Sequence, residues 1–343
     1  MDYQDRYRVR SNITAAIFAA AVTIPVGGLA SESAKFSLPL DCNGGTVCFL
    51  QNLVDLQPGP VKQDPFCGSA TFNGHKGTDI RVKDIPTMNK GVPVLAMADG
   101  LVMATREGEA DRLVLTKADR KAVNKKECGN GIIIKHLMAD GAVWTTQTCH
   151  LAKGSVSVRK GDRVKRGQAI GKMGLSGATQ FPHVHVSFKN GKQIVDPITG
   201  IRSGGTCNSA SSTNLKKSLF TETAIKKLQT MGTPVIHTGF ASAPVQGVDL
   251  TKGTIRKATS QGPLVFYAKL INLKKGDQIR LTINGPTGMF AQNTTKPLDQ
   301  SKATYTVYSG KKGTVAPGKY TGKVDLVRGG KVIFSGGAQS ITF

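Results

Sequence analysis

Residues 182–188 are Pro182-His183-Val184-His185-Val186-Ser187-Phe188, a stretch in which polar and apolar side chains alternate. Successive side chains of a β-strand point to opposite faces, so the alternation predicts a strand with both histidines on one face. On a helix, residues i and i+2 diverge, and the pair could not share a site. The stretch therefore indicates a β-protein in which two imidazoles project together from a sheet.

A second stretch carries related information. Residues 74–82 are Gly74-His75-Lys76-Gly77-Thr78-Asp79-Ile80-Arg81-Val82. Gly77 disfavours a helix, and the alternation after Asp79 predicts a strand with His75 and Asp79 on one face at or near its start. If the two strands face each other, two imidazoles and a carboxylate converge. That donor set suits zinc with a fourth position open to water.

Each pattern is weak alone, because a single histidine is more often a packed, hydrogen-bonded core residue than a ligand. The chain has six histidines, and the remaining ones are His136, His150 and His237. His136 closes an apolar strand over residues 131–135 and is more readily a core residue than part of a site. His237 is given no role. A serine hydrolase is disfavoured because the sequence has no Gly-x-Ser-x-Gly elbow.

Several motifs follow one another in a fixed order. They are residues 74–80, then Thr148-Cys149-His150-Leu151, then 161–164 and 167–171, then Gly174-Leu175-Ser176-Gly177 and Pro182-His183-Val184-His185. This succession resembles the M23 family of lysostaphin/LytM-type zinc peptidases, which cut peptide bonds in bacterial peptidoglycan. The resemblance covers roughly residues 70–197 and ends at Val195-Asp196-Pro197.

The resemblance implies a role for each motif residue. His75, Asp79 and His185 would bind one zinc ion per chain, and His150 and His183 would be catalytic histidines that do not bind the metal. No motif position is missing. The implied function is a zinc-dependent endopeptidase that hydrolyses peptide cross-links of peptidoglycan. The alternative is a catalytically silent or latent peptidoglycan-binding module or amidase activator. A silent module or activator predicts a lost ligand, whereas a latent form would have its groove covered by the segment from Cys42 to Cys67.

The residue types support this chemistry. Zinc with three protein ligands lowers the pKa of a bound water to ~7. Imidazole titrates near neutral pH, so His150 and His183 suit proton transfer and stabilisation of the oxyanion. The sequence leaves open which of the two is the general base.

The first thirty residues predict export. Arg6, Arg8 and Arg10 precede an apolar run over residues 13–26, and small residues end it near Ala30. This is typical of a Sec-type signal peptide, cleaved after Ala30, and predicts a periplasmic or extracellular protein. The run is short for a membrane anchor, and no later segment is apolar enough to span a bilayer.

All six cysteines follow that segment: Cys42, Cys48, Cys67, Cys128, Cys149 and Cys207. An oxidising compartment and an even count favour disulfides over a catalytic thiol or a structural zinc site. Cys128 and Cys149 flank a predicted hairpin at Asp140-Gly141, so we expect that pair to be bridged. The other four allow three pairings.

The charge indicates a polyanionic neighbour. The chain has 46 basic and 22 acidic residues, a net charge of +24, and loss of three Arg and two Asp with residues 1–30 leaves +23. The basic residues are dispersed among few aromatic ones, so the sequence indicates no specific nucleic-acid partner. Retention by anionic envelope polymers is the simpler interpretation. The oligomeric state is not predicted.

The predicted fold class is all-β, with an antiparallel M23-type peptidase domain and a C-terminal immunoglobulin-like β-sandwich. Alternating strands from residue 235 onward, with a hairpin at Gly329-Gly330, indicate the sandwich. The predicted segments are 1–30 signal peptide, 31–69 irregular Cys-containing lead-in, 70–200 peptidase domain, 201–234 linker with a short helix near Leu215–Met231, and 235–343 sandwich. The role of the last segment is left open.

Overall fold

The computed structural model describes residues 35–42, 47–57, 59, 61–208 and 214–343. The predicted signal segment, residues 1–30, lies outside the described residues. Within the described ranges, no helix combines the length and the apolar character that a bilayer span requires.

The chain up to residue 200 is built on antiparallel strands, which confirms the predicted class. The strands are β1 Phe49–Asn52, β2 Thr78–Arg81, β3 Pro93–Leu95, β4 Gly100–Arg106, β5 Asn130–Leu137, β6 Val143–Leu151, β7 Arg163–Val164, β8 Ala169–Lys172, β9 His183–Asn190 and β10 Gln193–Val195. The helices are α1 Ile85–Met88 and α2 Lys117–Ala122. The main sheet has the order β1-β2-β9-β6-β5-β4-β7, with β10 paired to β9, and β3 pairs with β8.

Alternation divides the main sheet into two faces. On β9, Val184, Val186 and Phe188 are buried in the core, whereas His183 and His185 point to the other face, as the period of two requires. Strand β9 lies between β2 and β6, where His185 is opposite both Asp79 and Cys149. The sheet therefore brings the two predicted motifs side by side.

His136 lies on the core face of β5. Its side chain is fully buried, with one ring nitrogen 2.9 Å from the Asp99 carbonyl and the other 2.9 Å from Thr146 Oγ1. The ring packs edge-on against Phe36. It is a hydrogen-bonded core histidine and does not line the site.

The prediction of an irregular lead-in is wrong at residues 49–52. These residues form the edge strand β1, which pairs antiparallel with β2. The following loop is held by two buried carboxylates: Asp55 accepts from the amides of Gln57, Gln63 and Gly74, and Asp64 accepts from those of Phe66, Gly68 and Ala70. The lead-in packs on the sheet and supports its edge.

Three disulfides are present, and the expected Cys128–Cys149 pair is confirmed. The other bridges are Cys42–Cys48 and Cys67–Cys207. Cys67–Cys207 joins the lead-in to the segment after the sheet, a pairing that spacing alone left undecided.

The predicted helix near Leu215–Met231 is shorter than expected. A 3-10 turn spans Asn214–Lys217, and helix α3 runs from Glu222 to Thr230, with the Thr221 side chain capping its first turn. Between them the backbone is extended: the Phe36 amide donates to Leu219 and the Thr221 amide donates to Phe36. Pairing with the lead-in delays the helix.

The C-terminal part is an antiparallel β-structure of two sheets. Its strands are β11 Val235–Ala241, β12 Leu264–Leu273, β13 Gln278–Gly285, β14 Gly288–Thr294, β15 Lys302–Lys311, β16 Lys319–Arg328 and β17 Lys331–Thr342, with helix α4 at Gly247–Lys252. The sheet orders are β11-β12-β15 and β14-β13-β16-β17. Phe266, Leu281 and Val324 share one core between them. The immunoglobulin-like topology stays a prediction.

The predicted hairpin near the C-terminus is confirmed. Gly329 and Gly330 join β16 to β17, and both have positive φ, 54° and 77°. Two left-handed residues match the twist of a two-residue hairpin, and glycine adopts this conformation without a Cβ clash.

Strand β1 joins the two parts of the molecule. Phe49 packs with Ile236 and Ile271 in a small apolar cluster. The Gln51 side-chain amide donates to the Ala303 carbonyl at 2.8 Å, and Gln51 Oε1 accepts from Arg81 on β2 at 2.8 Å. The strand beside the site is therefore fixed by the C-terminal part.

Candidate active site

The structure brings His75, Asp79 and His185 together as a compact group of possible metal ligands. His75 Nε2 lies 3.0 Å from His185 Nδ1 and 3.1 Å from Asp79 Oδ1, and His185 Nδ1 lies 2.8 Å from Asp79 Oδ1. Asp79 and His185 are opposite each other in the β2–β9 register. His75 precedes β2, in the turn before its first residue. Three donor atoms thus surround one point.

The ring of His75 is held with its donor atom facing that point. His75 Nδ1 donates to the Leu53 carbonyl at 2.7 Å. A carbonyl only accepts, so Nδ1 carries the proton and Nε2 presents its lone pair to the cluster in the neutral ring. His185 Nε2 lies 3.0 Å from Ser187 Oγ, a contact that turns the Nδ1 atom of that ring toward the same point.

The Asp79 carboxylate is oriented by a hydrogen bond to Oδ2, the oxygen that does not face the imidazoles. Asn52 Nδ2, on β1, donates to Asp79 Oδ2 at 2.8 Å, and both residues are buried. Oδ1 is left to face the two imidazoles. Partners of this kind fix the ligand geometry and tune the affinity of metal sites.

The donor set fits zinc. Two neutral imidazoles and one carboxylate are typical of catalytic zinc sites, in which a fourth position stays open. Ligands at tetrahedral positions 2.0–2.1 Å from the ion would be about 3.3 Å apart, close to the separations of 2.8–3.1 Å seen here. Without a cation, three acceptor atoms at this spacing would repel one another.

The pKa values of His75 and Asp79 shift in the directions that favour a positive charge beside the carboxylate. Burial, the largest influence, lowers the pKa of His75, but the Asp79 carboxylate and hydrogen bonds raise it above its ordinary value. Burial raises the pKa of Asp79, yet its histidine neighbours hold that pKa well below the usual range. The Asp79 carboxylate therefore stays ionised beside the two imidazole nitrogens of the cluster.

His150 stands beside the cluster in an unusual conformation. Its backbone has φ 65°, the left-handed region that residues other than glycine rarely adopt. Its amide donates to the Cys128 carbonyl, and Nδ1 donates to the Ser176 carbonyl at 2.8 Å. The conformation takes His150 out of regular strand alternation and brings its ring to 4.6 Å from that of His183. The Cys128–Cys149 bridge anchors the segment immediately before it.

His183 is positioned by Phe181 of the preceding loop, which in turn packs against the buried Arg81. His183 Nδ1 donates to the Phe181 carbonyl at 2.8 Å, while Nε2 lies 3.7 Å from Asp79 Oδ1. The Arg81 guanidinium stacks on the Phe181 ring, 4.3 Å from its centroid. Burial lowers the pKa of Arg81 to about 9, against the opposing charge of Asp84.

Both of these histidines are neutral near pH 7. Burial, followed by the charges of His183 and His185, lowers the pKa of His150 well below its ordinary value. Burial also lowers the pKa of His183. Because each Nδ1 donates to a carbonyl, the free lone pair of each ring is on Nε2. The site therefore offers two proton acceptors beside a metal-binding cluster.

Residues 73–197 match Peptidase family M23. The chain carries an M23 peptidase domain. This match confirms the family predicted from the ordered motifs.

Among curated proteins, the chain is 33% identical over 111 residues to the peptidoglycan DD-endopeptidase ShyA of Vibrio cholerae, covering 32% of this chain and 19% of that protein. It is 28% identical over 160 residues to an uncharacterized metalloprotease of Haemophilus influenzae, covering 47% and 27%. The chain thus spans about a fifth to a quarter of the length of these relatives. The lysostaphin catalytic domain of Staphylococcus simulans is 22% identical, covering 42% of this chain and 85% of that one, with a TM-score of 0.26.

The structure adds supporting residues that the sequence did not indicate, and two of them, Asn52 and Leu53, precede the residues that match the M23 family. They are Asn52, the Leu53 and Ser176 carbonyls, Thr179, which lies 3.0 Å from His183 Nδ1, and Ser187. Alternation could have found Ser187, because it follows His185 by two residues on the same face. Nothing in the sequence marks Asn52, since its strand was not predicted.

Proposed function

We propose that this chain is an exported zinc endopeptidase that hydrolyses peptide cross-links of peptidoglycan. The observation that carries the proposal is the convergence of three metal-donor atoms with the free Nε2 atoms of two further histidines. The curated relatives include a peptidoglycan DD-endopeptidase, which supports the substrate class. The competing proposal, a silent binding module, requires a lost ligand, and His75, Asp79 and His185 are all in place.

The proposed roles divide between binding and proton transfer. His75, Asp79 and His185 hold the metal through Nε2, Oδ1 and Nδ1. When bound, zinc supplies a Lewis acid that polarises the substrate carbonyl and lowers the pKa of a water ligand to ~7. His150 and His183 accept or donate a proton at Nε2, because each Nδ1 is committed to a carbonyl.

The same two imidazole rings can donate the proton that they have accepted. A histidine that has accepted a proton becomes a donor, either to the developing oxyanion or to the leaving amine. Depressed pKa values favour release of that proton, so the histidines return to the neutral state after each turnover.

Export is part of the proposal. Three disulfides in the described chain are typical of an oxidising compartment. The basic surface, with a net charge of +24 for the full chain, favours retention at an anionic envelope. A periplasmic or extracellular location follows from the proposed substrate.

The experiment is muropeptide release from purified sacculi by the zinc-loaded chain, with and without a zinc chelator. We expect shortened cross-linked species that disappear with chelator and return with added zinc, and their masses identify the bond that is cut. Release that persists after all metal is removed would contradict the metal-dependent mechanism.

Two variants separate binding from catalysis. Asp79→Ala should lose stoichiometric zinc and activity together, whereas His150→Ala should keep zinc and lose at least about a hundredfold in rate, typical of removing general acid–base help. His237→Ala, in the C-terminal part, is the matched histidine control. Wild-type hydrolysis by His150→Ala would refute the proposed role of that ring.

A further inference from the structure

The face of the main sheet that carries His183 and His185, called the open face below, continues beyond the metal-donor cluster. Along β9 the side chains on the face of His185 are Ser187 and Lys189, because every second residue shares a face. Lys189 is half-buried and follows His185 by four residues, about 13 Å along a strand. Ser187 is buried and Lys189 is half-buried, so this face becomes accessible to an extended chain at the level of Lys189.

A row of three residues crosses this face. Lys189 on β9 is opposite Thr145 on β6, and Thr145 is opposite Lys135 on β5. Residues directly opposite in a sheet project from the same face, so the two lysines stand on either side of one threonine. Two strand spacings separate them by about 10 Å.

Within the part of the chain that the structure describes, no carboxylate pairs with these two ammonium groups. In residues 61–208, the lysine ion pairs are made by other residues, such as Lys126 with Glu109 and Lys165 with Asp99. No carboxylate of the described chain lies within 4.0 Å of Lys135 or Lys189. The side chains between the row and the metal cluster are uncharged, namely Gln147, Ser187 and Ile133.

We propose that Lys135 and Lys189 form a carboxylate-binding subsite, and that the substrate is an acidic peptide lying extended on this face. The inference rests on the proposed function, because it takes the cut bond to lie at the metal cluster. An extended peptide rises about 3.3 Å per residue, so a subsite about 13 Å from His185 receives carboxylates about four residues from the cut bond.

The chemistry of the face favours a peptide over a glycan strand. Sugar rings are commonly bound by stacking on exposed aromatic side chains, and the described residues of this row are lysine and threonine. The aromatic residue of β6, Trp144, belongs to the opposite face, where it is opposite the core residue His136 and packs against Phe36. Cationic side chains beside a row of hydrogen-bonding groups instead match a peptide backbone with acidic substituents.

The test compares native sacculi with sacculi whose free carboxylates have been converted to amides. The zinc-loaded wild type should cut native sacculi about three- to twentyfold faster, since each exposed ion pair contributes a small factor and two are lost together. The double variant Lys135→Met/Lys189→Met should cut both preparations at nearly the same rate. Added salt should reduce the wild-type preference, because it screens exposed charges.

The matched control is Lys226→Met/Lys331→Met, which removes the same two charges from exposed positions on α3 and on the β16–β17 hairpin. It should keep the wild-type preference. A wild type without preference, or a Lys135/Lys189 variant that keeps it, would overturn the subsite. Loss of preference in the control as well would also overturn it, because net charge would then be the cause.

Failure of the proposed function is separable from failure of the subsite. If the zinc-loaded wild type cuts neither preparation, the endopeptidase proposal fails, and the subsite is judged by equilibrium binding of soluble, carboxylate-bearing muropeptides. Binding that the Lys135/Lys189 variant loses and the control variant keeps would support the subsite. Equal binding by both variants would overturn it.

Discussion

The contact between Asn52 and Asp79 gives the sharpest test of how the metal site is built. Asn52 donates to Asp79 Oδ2 at 2.8 Å, in a region where both side chains are buried. Asn52→Ala removes this donor and leaves a buried carboxylate oxygen unpaired. A hydrogen bond to a charged group contributes about 1.5–3 kcal/mol, and loss of such supporting contacts weakens metal binding by about 10- to 100-fold.

We therefore expect zinc affinity at pH 7 to fall by about 10- to 100-fold in Asn52→Ala. Competition against a chromophoric zinc chelator measures the dissociation constant directly. Hydrolysis should recover when zinc is saturating, because Asn52 touches neither His150 nor His183. The exposed Asn293→Ala on β14 is the control and should bind zinc as the wild type does.

An affinity within about threefold of wild type would refute the reasoning, provided that urea unfolding shows the variant to be folded. It would mean that Asp79 is held by its imidazole neighbours alone. Reduced hydrolysis at saturating zinc would contradict the reasoning in another way, since it would place Asn52 in the proton-transfer step.

Two further predictions concern stability. Burial raises the pKa of Asp196 to about 6, and its Oδ2 is buried without a hydrogen-bond partner among the described residues. The folded state therefore keeps the Asp196 proton at a higher pH than the unfolded state does. The free energy of unfolding should consequently fall by about 3 kcal/mol as pH rises from about 4 to about 6. Urea titrations across this range should show the fall in wild type and not in Asp196→Asn, and parallel curves would contradict it. Replacing Cys128 and Cys149 with serine removes a disulfide of sequence separation 21, so the free energy of unfolding should fall by about 3 kcal/mol. Zinc binding should be retained, and the rate of hydrolysis should fall because the bridge no longer anchors the segment before His150. Full activity in that variant would show that the contacts of His150 with the Cys128 and Ser176 carbonyls are sufficient.

The ordered motifs were sufficient to predict the family and to single out the five residues proposed for the site, because each motif is local. Alternation at His183 and His185 has a period of two, which is a property of neighbouring residues in any strand. The same rule explains why alternating strands could be predicted from residue 235 onward. It also separates His136, on the core face of β5, from the histidines of the open face.

Features that depend on distant partners could not be predicted in this way. The helix expected near Leu215 begins at Glu222 because Phe36, far away in sequence, pairs with Leu219 and Thr221. The strand at residues 49–52 is too short for its own pattern to indicate it. It forms because it pairs with β2 and because Phe49 packs against the C-terminal part.

By itself, the sequence determined which side chains are proposed to bind metal and which to move protons, since residue type and strand period are local properties. The tertiary structure decided how each is oriented. Asn52 reaches Asp79 across 27 residues, and the Leu53 and Ser176 carbonyls fix the protonated nitrogens of His75 and His150. Such hydrogen bonds join residues that only the packed sheet brings within 3 Å of one another, and no local pattern encodes that proximity.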